Sequence, residues 1–158
     1  MMTLLVAMTL LPTPLPDFTF RDWRAKAAYR SDDARLKDCA STASGKVCTF
    51  ADNSMAGVKA RRIGAVFSRE GLYALEARFS RADGDVIEAA LVQRYGTPCE
   101  RKNDQVMTAS EGMRLVKVRV WCFADGKAIF RSETGPLAEA TFQFKTHDFA
   151  KQAAVVDF

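Results

Sequence analysis

The chain has 158 residues, 48% of them hydrophobic and 27% charged, an ordinary globular composition that excludes a disordered or fibrous protein. No run approaches the roughly 18 apolar residues that a membrane-spanning helix needs. Lys and Arg number 23 against 19 Asp and Glu, a net charge of +4, and the signs are interspersed instead of gathered into the basic stripe of a dedicated nucleic-acid binder.

From Met1 to Leu11 the chain carries no charge, and Pro12-Thr13-Pro14-Leu15-Pro16 follows. That length suits the apolar segment of a signal peptide and is too short to cross a bilayer, and the prolines stop any helix. No basic residue precedes the run and no small-x-small cleavage site follows it, so a buried N-terminal strand or short helix is the alternative. Residues 1–16 are expected to be a leader, and 17–158 a single exported domain.

Next come Phe18, Phe20, Trp23 and Tyr29, interleaved with charges. Ser31-Asp32-Asp33 has the chemistry of a helix cap and acidic first turn, which predicts a short N-terminal helix to about Cys39. Lys46 to Ala51 reads as a strand. Val58 to Phe67 and Leu72 to Ser80 flank Ser68-Arg69-Glu70-Gly71 as a hairpin, with Phe67 opposite Leu72 and Glu76 near Ile63. Arg62 then falls on the apolar face, which this pattern does not explain. A helix follows with Asp83 or Asp85 as cap, Ile87, Ala90, Leu91 and Tyr95 on one face, and Gly96 as its stop.

The last sixty residues read as a β-meander. Arg101 to Ala109 and Arg114 to Phe123 form one hairpin. Asp125-Gly126 leads into Lys127 to Glu133 and sets Trp121 opposite Phe130, and Leu137 to Lys145 alternates apolar and polar residues. The expected fold is α+β: an antiparallel, mostly meander sheet of six to seven strands, packed against one secure helix and a short N-terminal one.

Cysteines occur at 39, 48, 99 and 122, with no Cys-x-x-Cys pair and only one histidine, which is unlike a zinc or thioredoxin-type site. A two-residue loop at Ser110 and Glu111 would set Cys99 directly opposite Cys122, within disulfide reach. Cys39 and Cys48 then pair by elimination across a loop of small residues. Two bridges imply an oxidising compartment, periplasmic or secreted; four free thiols in a cytosolic protein is the alternative.

No catalytic set, metal site or cofactor motif emerges. His147 is beside Asp148 in sequence, and adjacent side chains on a strand diverge. The carboxylates Glu76, Asp83, Asp85 and Glu88 admit a small carboxylate-dependent hydrolase as one alternative. One face of the meander gathers Lys117, Arg119 and Trp121, with Lys102 and Phe130 added by the ladder. It is a possible binding face for a protein, an anionic glycan or single-stranded nucleic acid, or else a core pair edged by two long cations. Export argues against nucleic acid, leaving a basic nucleic-acid-binding domain as the second alternative. The reading is therefore a non-catalytic module for an unknown protein or envelope component.

Overall fold

The computed structural model describes residues 13–149 apart from Ser44, Glu111, Pro136 and Leu137. Most of the expected leader therefore lies outside the described residues. Among the described residues, twelve strands and one α-helix follow in chain order. β1 (Thr19–Phe20) and β2 (Trp23–Arg24) form a small ribbon. β3 (Leu36–Thr42) and β4 (Gly45–Phe50) form a hairpin, and β5 (Ser54–Met55) and β6 (Val58–Lys59) a second ribbon. β7 (Arg62–Ser68) and β8 (Gly71–Ser80) pair next, and a short 3-10 turn leads into α1 (Gly84–Tyr95). β9 (Glu100–Thr108), β10 (Gly112–Cys122), β11 (Gly126–Glu133) and β12 (Glu139–Thr146) complete the chain.

Eight strands make one antiparallel sheet in the order β3-β4-β7-β8-β12-β11-β10-β9. The chain lays down one meander, crosses through α1 to the far edge, and meanders back until β12 pairs with β8. The antiparallel α+β layout is as expected, though richer in strand than six to seven would give.

One face of the sheet carries the core. On β12, Ala140, Phe142 and Phe144 are buried while Thr141 and Gln143 are only partly so, which is the period-two pattern of a half-covered strand. Ile63, Ala65 and Phe67 on β7 and Leu75, Ala77 and Phe79 on β8 continue the buried layer. Two elements cover it. Ile87 and Leu91 of α1 are fully buried, and so is Phe18, whose ring stacks on Phe144 at a centroid distance of 3.6 Å. The segment around Phe20 and Trp23 packs on Phe50 and Phe67. Burying each such aromatic is worth about 1.5–3 kcal/mol over leaving it in water. At its end the segment is fastened to the β7–β8 turn by Lys26 N–H to Leu72 C=O and Leu72 N–H to Ala27 C=O. Gly71 permits that contact: its φ is +106°, and a Cβ there would come within 2.3 Å of the Lys26 carbonyl oxygen.

Four expectations need correction. The helix from Ser31 to Cys39 is absent: residues 31–35 are turn and residues 36–42 are β3. The Asp33 carboxylate accepts the N–H of Arg35 and closes a local turn, while β4 takes the backbone bonds that a helix would have used. In the β7–β8 hairpin Phe67 does face Leu72, but an irregularity follows at once, so that Val66 faces Ala74 and Glu76 faces Gly64. That extra residue reverses the parity of β8 relative to β7 and puts Arg62 on the exposed face, which resolves its misfit. The β10–β11 hairpin is two residues out of the expected register, with Phe130 opposite Arg119 and Trp121 opposite Ala128. The β9–β10 loop is one residue longer than expected, pairing Thr108 with Gly112.

Both disulfides nevertheless form as expected, Cys39–Cys48 with Cα atoms 4.1 Å apart and Cys99–Cys122 at 6.0 Å. The second does so without the directly opposed geometry, because Val120 already faces Glu100 and Cys99 lies just before β9. Among the described residues, no helix is long and apolar enough to cross a membrane.

Candidate interaction surface

The structure splits the basic and aromatic face. Trp121 and Phe130 are buried, and the Trp121 indole N–H donates to the Gly96 carbonyl at the end of α1. Lys117 and Arg119 lie on the same face, beneath the helix. Arg119 Nε donates to Glu88 Oε1 at 2.7 Å and Lys117 Nζ to Glu88 Oε2 at 2.8 Å, with Asp85 3.1 Å from the same ammonium. The hydrogen bond that Lys117 donates to Glu88, foremost, raises the Lys117 pKa. Lys102 faces Val118 and so projects from the opposite face, where Glu100 lies 2.7 Å away and raises its pKa. The five residues therefore do not form one surface; four of them fasten α1 to the sheet or fill the core beneath it.

The carboxylates are engaged likewise. Both oxygens of Glu88 hold cations, and its neighbour Asp85 points into solvent at 94% exposure, so the two share no enclosed space for a substrate. Glu76 accepts from Arg78 at 2.6 Å and from the Gln143 amide at 2.6 Å. His147 is exposed. A cleft of roughly 320 Å³ lies among Arg21, Trp23, Arg35 and Phe50. Its guanidiniums are already committed: Arg35 to Asp33 at 2.7 Å and over the Trp23 ring, Arg21 to the Asp52 and Ser54 carbonyls. Arg35 in turn holds the Asp33 carboxyl down to about 2.

The opposite end of the sheet is different. β9 is the edge strand, exposed over almost its whole length and paired to β10 in unbroken register from Glu100–Val120 to Thr108–Gly112. At the tip of this hairpin lie Val106 at 43% exposure, Met107 at 71%, Met113 at 58% and Leu115 at 52%. Met107 faces Met113, and strand alternation places Leu115 on the same side, the side that carries α1 further along. Together they are the largest gathering of exposed apolar side chains among the described residues, and they adjoin a strand edge that no described strand pairs with.

The backbone direction of that edge follows from its neighbours. Leu115 gives its N–H to the Thr134 hydroxyl and accepts the Thr134 N–H, both on the β11 side. Its cross-strand partner Gln105 therefore turns its own N–H and C=O away from β10, and with the regular two-residue period so do Asn103 and Arg101. These groups form the outward row that an added strand would meet.

Sequence reasoning found this hairpin and missed its tip. The signal was Gln105-Val106-Met107-Thr108, where consecutive apolar residues point to both faces of a strand whose other members are polar or charged. Such a pattern belongs either to a strand covered on both sides or to one waiting to be. Compared with protein-family models, curated proteins and solved structures, the chain matches none of them.

Proposed function

We propose that this chain is an exported, disulfide-bonded, non-catalytic binding domain that engages a protein partner through the β9–β10 hairpin, by strand addition along β9 and apolar contact at its tip. The observation that carries the reading is the coincidence of a straight strand edge that no described strand pairs with and Val106, Met107, Met113 and Leu115 in solvent. The two bridges support a periplasmic or secreted setting, since thiols in the cytosol are kept reduced. The alternatives draw less support. A carboxylate hydrolase needs an acid and a base across a substrate-sized gap, and Glu88 is bound on both oxygens. A nucleic-acid platform needs exposed rings beside its cations, and Trp121 and Phe130 are buried.

The test is site-specific photo-crosslinking in the native host. A photoreactive residue at Met113 is expected to give a discrete protein adduct of the exported chain, and the same residue at exposed Lys145 on β12 to give none. Equal labelling at the two positions, or no adduct at Met113, would contradict the proposal.

A further inference from the structure

We infer that the strand received by β9 is the β9 of a second copy of this chain, paired antiparallel about a two-fold axis at Asn103. This rests on the reading of the hairpin as the interaction surface. An antiparallel pair keeps opposed side chains on one face, so the two-fold axis must run through a residue of the strand and not between residues. Each possible centre then makes its own charge pattern.

Centred on Lys102, lysine meets lysine and Glu100 meets Asp104 twice. Centred on Asp104, aspartate meets aspartate, and centred on Arg101, arginine meets arginine. Asn103 alone sets opposite charges against each other and none against its own kind: Lys102 faces Asp104 of the second copy, and Asp104 faces its Lys102. Arg101 then meets Gln105, and Glu100 meets Val106. Asn103 is also one of the residues whose N–H and C=O turn outward, so at the axis the two copies exchange a pair of backbone hydrogen bonds. The adjacent Lys102–Asp104 pairs are then the closely spaced, non-hydrogen-bonded kind, in which side chains interact most strongly. The same register covers Val106 and carries Met107 alongside the residues that precede the second copy's β9. The opposite edge, β3, has a break in its ladder between Lys37 and Ala40 and cannot present an equivalent row.

The experiment is sedimentation equilibrium on the disulfide-intact chain, with Lys102→Asp and Asp104→Lys examined singly and mixed. Both positions are exposed, and a circular dichroism spectrum matching the parent establishes that each variant is folded. The parent is expected to dimerise. Each variant alone sets like charges against each other twice and should associate roughly tenfold more weakly or worse. In an equimolar mixture, a Lys102→Asp copy brings a carboxylate at both positions and an Asp104→Lys copy brings an ammonium at both. Opposite charges then face each other twice, so dimerisation should return. A parent that stays monomeric up to about 1 mM, variants that dimerise as the parent does, or a mixture that does not recover would each overturn the inference. A monomeric parent whose Met113 adduct has the mass of a different protein sinks the second copy and leaves the binding reading standing. A monomeric parent with no adduct sinks both.

Discussion

The two edges of the sheet are built from opposite instructions. At β3 the ladder to β4 is interrupted between Lys37 and Ala40, Asp38 adopts φ +50°, and the Cys39–Cys48 bridge spans the irregularity. A neighbouring strand would find no straight row of donors and acceptors there. At β9 nine residues run in regular register, free of proline and bulge, and the Cys99–Cys122 bridge lies beyond the strand's start. The sheet thus spends a disulfide and a strained residue closing one edge and leaves the other straight. The difference teaches that a disulfide beside an edge can either deform it or hold it in line, according to whether it falls inside the ladder or at its end.

Removing the bridges breaks this comparison most strongly. They span 9 and 23 residues of sequence. Chain-entropy arithmetic for loops of those lengths predicts a loss of about 3.5 kcal/mol for Cys99→Ser with Cys122→Ser, and about 2.7 kcal/mol for Cys39→Ser with Cys48→Ser. Urea unfolding of the two double variants measures both. Equal losses would mean that loop closure is not how the bridges act.

A smaller effect is expected where α1 grips the β9 side of the sheet. Glu88→Gln removes the charge that both Lys117 and Arg119 contact, and the Arg119 side chain is only 11% exposed. The cost should be about 1.5–3 kcal/mol in the same urea assay. A loss below about 0.5 kcal/mol would show that the contact behaves as an exposed surface pair.

How much of this was legible in the chain depended on whether a feature is periodic or cumulative. Phe142 and Phe144 alternate with polar residues, and Ile87, Leu91 and Tyr95 recur at helical spacing, so β12 and α1 could be read directly. Registers could not, because one added residue in a loop or bulge shifts every pair beyond it, and the bulge between Val66 and Phe67 turned Arg62 of β7 from the apolar face to the exposed one. The Cys99–Cys122 pairing survived a loop one residue longer than assumed, since a disulfide tolerates offset partners that a ladder does not. Ser31-Asp32-Asp33 has a helix cap's composition, yet Asp33 uses its carboxylate on Arg35 to make a turn, a choice settled by the strand that follows. The basic and aromatic face failed for a related reason. A face says which residues are neighbours, and only packing says that α1 lies on top of them.

Acid loosens the β3 side through one carboxyl in particular. The Asp33 carboxyl, ordinarily near 3.8, is held to about 2, chiefly by its hydrogen bond from the Arg35 side chain just before β3. A depressed carboxylate stabilises the folded chain fully above its unfolded value. That contribution is then lost as pH falls from about 4 to about 2. Stability should therefore decline through this window, and the decline should be shallower in Asp33→Asn; parallel curves for the two proteins would contradict the assignment. The smallest effect on stability is expected from Asn103→Pro, about 1 kcal/mol, because the N–H it removes faces away from β10, and Arg119, which loses the Asn103 Oδ1 acceptor, keeps Glu88 and the Lys102 and Val118 carbonyls. Its effect on association should be complete, and a variant that still dimerises would place the contact elsewhere.

The most direct measurement is amide hydrogen exchange across both edge strands at two protein concentrations, one below the association midpoint and one well above it. The outward amides of Arg101, Asn103 and Gln105 should exchange freely in the dilute sample and slow markedly in the concentrated one, while the amides of β3 keep the same rates in both. Exchange in β9 that is indifferent to concentration, or protection that appears at β3 instead, would contradict the account.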